Sequence, residues 1–218
     1  MRAALGSDGV EVDARVSSMT GVVVALIDAH GDRTMLSQRV ALLDDDYEGF
    51  VVTWAVVSGY VLLEPRASAL PELVAASQRR AVAGCALTPA QVEGWSSALR
   101  ALAPDLLVLN QDEARMLAGV EKAAVVVVVT DADGASATIA GRTIRVDAAA
   151  GEPATDTTGA GDAFAAALLA DLLDEPWPPS EEVLAGAMHA ATRLASAVAR
   201  SRGAQARVLD EPPARLST

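Results

Sequence analysis

A single cysteine, Cys85, stands in 218 residues, so no internal disulfide framework can be drawn. A lone cysteine reads first as a small buried apolar residue. Aromatic residues make up only 3% of the chain, which leaves Ala, Val and Leu to build the core. Cations are also scarce: 17 Lys and Arg stand against 29 Asp and Glu, for a formal net charge of −12. Broad binding to nucleic acid or to an anionic membrane needs clustered Lys and Arg, so neither is expected as a partner. A local anion site stays open, because amides at a helix start bind phosphate even in an acidic protein. Long apolar runs are missing as well. Residues 51–63 are the most apolar stretch and are too short to span a bilayer. Residues 1–13 mix charge with apolar side chains, unlike a secretion signal. A soluble cytoplasmic protein with one α/β domain over residues 1–218 is the expectation.

What is present alternates between strand and helix patterns. Residues 21–27 are apolar β-formers, followed by Asp28, His30 and Gly31 and a second extended stretch, which predicts a hairpin. Residues 44–48 suit a short acidic helix, and 55–63 a buried strand running into a loop at Gly59. Leu73, Val74, Ser77 and Val82 have helical spacing over 71–82, and 89–102 repeat that pattern behind Pro89. A strand is predicted at 105–110, then a helix over 111–118 stopped by Gly119. Five consecutive valines mark a strand within 123–130, and 136–139 with 143–146 read as a hairpin around Gly141 and Arg142. Helices are predicted at 161–173 and 181–200, with a frayed tail over 211–218. Such alternation argues for a parallel sheet sandwiched by helices.

The segment that carries chemistry is Asp156-Thr157-Thr158-Gly159-Ala160-Gly161-Asp162-Ala163-Phe164, placed directly before an alanine-rich helix. Gly159 and Gly161 let backbone approach a ligand without Cβ obstruction. The helix behind them points unpaired amides and its positive dipole end at whatever occupies the turn, which makes an anion hole suited to a transferring phosphoryl group. Asp162, in the first helical turn, where an acid is electrostatically favourable, can accept a proton. Taken by themselves, Thr158 and Asp162 are equally explained as helix caps.

The full string resembles the C-terminal signature of the ribokinase-like (PfkB) carbohydrate kinase family, and the resemblance continues into Ala190-Ala191-Thr192 and Gly203-Ala204. It implies a three-layer αβα fold with a central, mostly parallel sheet and a small β lid over about residues 19–40. It also implies ATP-dependent phosphorylation of a sugar or nucleoside hydroxyl, with Asp162 as base and Gly159, Ala160 and Gly161 as the anion hole. Asn110 and Glu113 match the family's Asn-x-x-Glu element, which helps organise Mg²⁺ and phosphates; a capped helix with an acidic first turn explains the pair as well. Thr130 and Gly134 resemble the nucleotide-phosphate loop, although the first glycine usual there is absent, Ala132 alters the loop, and it is one residue short; a plain turn explains the segment about as well. Thr158 is a further nucleotide contact, and Asp156 with Thr158 would shape a K⁺ site; His189 lies near the adenine by analogy, although a surface helical histidine is the readier reading. Lid strands in this family often pair between subunits, which leaves the oligomeric state open with a homodimer among the alternatives.

The family's opening strand with its acidic substrate-binding residue, and its Gly-Gly segment, have no counterpart here; residues 1–21 resemble the stretch just before the lid. The chain therefore reads as incomplete on the N-terminal side, with further shortening around 80–91 and 119–125. That supports a second hypothesis, a catalytically impaired remnant that binds nucleotide or dimerises. A dinucleotide-binding domain is disfavoured, because no strand–Gly-x-Gly-x-x-Gly–helix unit with a downstream acid occurs.

Overall fold

The computed structural model describes residues 2–12, 21–27, 33–38, 51–84, 87–117, 119, 122–151 and 154–201. The expectations for Cys85, for His30 and its turn, for a helix at 44–48, for Gly203-Ala204 and for the tail lie outside these residues. The chain falls into two compact units, Met1–Asp44 and Asp45–Thr218.

In the first unit, α1 (Arg2–Ser7) precedes the antiparallel strands β1 (Val22–Ile27) and β2 (Arg33–Gln38). Their register runs from Val22 opposite Gln38 to Ile27 opposite Arg33, so the predicted hairpin forms. Val22, Val23, Val24 and Leu26 are all exposed. Because successive side chains on a strand alternate faces, the hairpin shows apolar groups on both sides.

The second unit is built on a six-stranded sheet in sequence order, β3 (Trp54–Ser58), β4 (Arg79–Ala83), β5 (Leu106–Asn110), β6 (Val126–Asp131), β7 (Gly134–Ile139) and β8 (Arg142–Asp147). Strands β3 to β6 pair in parallel and β7 and β8 antiparallel, giving a mostly parallel, mixed sheet. Between β3 and β4 lies α2 (Leu70–Leu73); α3 (Val92–Leu102) leads into β5, and α4 (Gln111–Met116) follows it. The last two helices are α5 (Ala160–Leu172) and α6 (Glu181–Ala199).

Two of the sequence expectations are corrected. The helix expected over 71–82 is only the four-residue α2, and residues Arg79–Ala83 are strand β4. Ala81 and Val82 are both fully buried, as adjacent residues are when a strand is covered on both faces. Pairing with β3 and β5 overrides the local helical spacing, which is a weaker determinant. The strand expected over 55–63 ends at Ser58, and Gly59–Leu63 form a 3-10 helix. Trp95 of α3, itself buried, donates its indole N–H to Gly59 O at 2.9 Å, bending the backbone out of the sheet there. Moreover β3 is an edge strand and Val56 is 57% exposed, so it is not buried.

The core follows from period-two alternation in the central strands. Leu106, Val108, Val126 and Val128 face one way and pack with Phe164, Leu168 and Leu172 of α5 and Leu184, Met188 and Ala191 of α6. Burying side chains of this size contributes about 1.5–3 kcal/mol each. Leu107, Leu109 and Val127 face the opposite way and are buried too, as are Trp95, Leu99 and Leu102 of α3. The result is a sheet flanked by helices on both faces.

Arg79 fastens the sheet to the α5–α6 connection. Its guanidinium carbon lies 5.6 Å from the Trp54 ring centroid and 5.8 Å from that of Trp177, and Nη1 donates to Glu175 O at 3.1 Å. Helix α6 begins at Ser180, whose Oγ accepts from Val183 N at 3.2 Å, with Glu181 and Glu182 in the first turn. Ser180→Ala should therefore cost about 1 kcal/mol, read as a lower urea midpoint at unchanged slope.

Candidate active site

The glycine turn is built as its residue types require. Asp156 Oδ1 accepts from Thr158 N at 3.0 Å, an Asx turn that reverses the chain. Gly159 then takes φ +80° as N-cap of α5, a left-handed conformation that suits glycine. Ala163 N donates to Gly159 O at 2.9 Å and starts the helical ladder, while Ala160 N donates to Thr157 O at 3.2 Å, within the turn. A Cβ on Gly161 would meet nothing within 4 Å. The start of α5 therefore faces open space.

That space is a cleft of about 470 Å³, within the roughly 300–1,000 Å³ usual for ligand pockets. Ala160, Gly161 and Phe164 of α5 form one wall, and Thr130, Asp131, Ala132 and Gly134 of the β6–β7 turn another. Ala148, Ala149, Gly151 and Ala154 line it from the segment after β8, and Thr192, Ala195, Ser196, Ala199 and Arg200 from α6. It lies at the carboxyl end of β6, where ligands bind in open α/β sheets.

The shortened β6–β7 turn is held by its own acid. Asp131 Oδ1 accepts from Asp133 N at 2.8 Å, and Oδ2 lies 3.6 Å from Arg145 Nη2. Gly134 has φ +140°, and a Cβ there would strike the backbone of Val146, Asp147 and Ala148. Glycine is required at this position by close approach as well as by φ. Ala148 N donates to Asp133 O at 2.7 Å, tying the turn to the segment after β8.

The predicted residues fall into three groups. Thr130, Gly134, Ala160 and Gly161 meet in the cleft. Asp156, Thr158, Gly159 and Asp162 sit on the adjoining turn; Asp162 is exposed and lies one residue beyond the cleft wall. Asn110 and Glu113 form a reciprocal cap of α4, with Glu113 N donating to Asn110 Oδ1 and Asn110 N to Glu113 Oε2, both at 2.9 Å. Glu113 is 4% exposed. This cap sits one strand away from the cleft, since Asn110 is the ladder partner of Thr130, whose Oγ1 donates to Leu109 O at 3.3 Å. His189 is exposed on α6 and is not part of the cleft wall. One turn further on, Thr192, Ser196 and Arg200 do line it. Sequence reasoning did not single out Ser196 and Arg200, although their spacing from Thr192 marks one helical face.

Among the described residues no group of three or more His, Cys, Asp or Glu could hold a metal ion. Among the described residues no helix is long and apolar enough to cross a membrane.

A mixed sheet between helices, with a glycine turn delivering a helix start to a cleft at the strands' carboxyl ends, defines a ribokinase-like α/β protein. The family model for pfkB family carbohydrate kinases matches residues 1–211, and the chain belongs to that family. Among solved structures, the fold is similar to fructokinase from Vibrio cholerae O395 in its fructose-, ADP- and calcium-bound form. That match has TM-score 0.75 and 22% identity, covering 94% of this chain and 76% of that one. It is also similar to ATP-bound fructokinase from Xylella fastidiosa (TM-score 0.74, 16% identity, 93% and 75% covered). A third similar structure is aminoimidazole riboside kinase from Salmonella enterica, complexed with aminoimidazole riboside and an ATP analogue (TM-score 0.71, 20% identity, 93% and 75% covered). Among curated proteins, none matches the sequence.

Proposed function

We propose that the chain transfers the γ-phosphoryl group of ATP to a hydroxyl of a sugar or nucleoside-like small molecule. The observation that carries this reading is the start of α5 opening, through Ala160 and Gly161, onto the cleft shared with Thr130 and Gly134. The nucleotide lies in that cleft, its base against the alanine-rich wall of α6 and the segment after β8. The first-turn amides of α5 beyond Ala160, whose N–H is spent on Thr157 O, face the charge that develops on the transferring group. Asp162 takes the acceptor's hydroxyl proton as its oxygen bonds to the γ-phosphorus, and the bond to the ADP oxygen breaks. Mg²⁺, when bound, would neutralise phosphate charge, and Glu113 and Asn110, one strand away from the cleft wall, would help to organise it. Asp156 and Thr158 shape a monovalent-cation position beside the turn. The pair of strands β1 and β2, with Val22, Val23, Val24 and Leu26 of β1 exposed, acts as a lid and pairs with a second copy.

The second reading, a remnant that binds nucleotide without transferring phosphate, is favoured by the exposure of Asp162. Measuring ADP formation with Mg²⁺ against a panel of sugars and nucleosides separates the two. Acceptor-dependent turnover is the expected result; ATP binding without any such turnover leaves only the remnant.

A further inference from the structure

Between β8 and the glycine turn, the described residues 148–151 and 154–156 lie in neither strand nor helix, and Ala148, Ala149, Gly151 and Ala154 form a wall of the cleft. Its described hydrogen bonds run to two places. Ala148 N donates to Asp133 O at 2.7 Å, at the β6–β7 turn. The other contacts converge on the last turn of α6. Thr155 N and Asp156 N both donate to Ala199 O, at 2.8 and 2.9 Å. Arg200 Nη2 donates to Ala149 O at 3.3 Å and to Ala150 O at 3.2 Å. The approach is close, since a Cβ on Gly151 would strike the Arg200 guanidinium.

Arg200 is therefore the side chain that ties the middle of this wall to α6, and Asp156 at its far end begins the turn that carries Gly159 to Asp162. A guanidinium suits the task because its planar fork reaches adjacent carbonyls together, which a lysine ammonium does less well. The bonds are exposed, so losing them leaves carbonyls that water can satisfy and costs the global fold little. What is lost is local order, which the nucleotide must then restore on binding.

We infer that Arg200 is a positioning residue that pre-orders the wall formed by Ala148, Ala149, Gly151 and Ala154 and thereby sets the affinity of the cleft for nucleotide. The inference rests on the kinase reading above. The test uses the full-length chain and the variants Arg200→Ala, Arg200→Lys and Gly151→Ala, the last of which displaces the same guanidinium and also strains the wall's backbone, since Gly151 has φ +156°, so that Arg200→Ala carries the decision. Amide hydrogen exchange over 148–156 without nucleotide, and the Kd for ADP by calorimetry, are the two readouts.

Arg200→Ala is expected to speed exchange in this segment and raise the Kd on the order of tenfold, with the thermal midpoint nearly unchanged. Arg200→Lys should fall between Arg200→Ala and wild type, and Gly151→Ala should reproduce both changes. In turnover the loss falls on the KM for ATP rather than on kcat. Wild-type exchange and wild-type Kd in Arg200→Ala overturn the inference. So does full recovery of the Kd in Arg200→Lys while exchange stays fast, because charge rather than order would then be responsible. A wild-type chain that binds no ADP defeats the kinase reading instead, and the exchange comparison still decides whether Arg200 orders the wall.

Discussion

Asp162→Asn is expected to lower acceptor-dependent phosphoryl transfer by about 10³-fold, inside the roughly 10²–10⁴ range for loss of a general base. The amide is nearly isosteric with the carboxylate, and helix α5 keeps its N-cap at Gly159, so the fold and the anion hole survive the change. Asp162 lies outside the cleft wall, so the Kd for ADP should move by less than about threefold, an effect under ~1 kcal/mol. A kinetic assay paired with calorimetry reads both quantities. Equal loss of turnover and of nucleotide binding would show that Asp162 holds the turn together instead of handling the proton. Retention of full turnover would remove it from the chemistry.

Gly134→Ala should be the most damaging single methyl group in the cleft. The added Cβ meets three backbone atoms, of Val146, Asp147 and Ala148, at a residue with φ +140°. Backbone cannot rotate aside as a long side chain can. Strain of about 1–3 kcal/mol and overpacking of about 1–3 kcal/mol should add, for a destabilisation of roughly 2–6 kcal/mol. Residues 134 and 147 are ladder partners where β7 and β8 meet beside the cleft, so nucleotide binding should be lost along with stability. Chemical denaturation measures the first effect and ADP titration the second. A variant with wild-type midpoint and wild-type Kd would mean that the hairpin relaxes freely, and that the cleft does not depend on its geometry.

The parts of this fold that were legible in the sequence are those that local chemistry decides. The glycine turn at 156–162 is one, since Gly159 needs a left-handed φ and Asp156 makes its own turn by binding Thr158 N. The Asn110–Glu113 cap is another, and the reciprocal pair of bonds it forms explains why a capping pattern and a family motif coincide there. Strand β5 and the valine strand β6 follow from continuous apolar runs covered on both faces. By contrast, β4 was hidden, because Leu73, Val74, Ser77 and Val82 mimic a helical face when neighbouring strands are not known. His189 attracted notice for its chemistry, whereas the cleft is lined by Thr192, Ser196 and Arg200 on the same helix.

By itself, then, the order of residues determined the helix start that carries Asp162, the two central strands and the family to which the chain belongs, because each depends on contacts within a few positions or on a contiguous motif. Only the tertiary structure decided that β4 is a strand, that β3 is an open edge, and that Arg200 reaches back some fifty residues to Ala149 and Ala150. Those outcomes depend on which surfaces meet through space, and a side chain's partner across the sheet or beyond a helix end leaves no trace in its immediate neighbours.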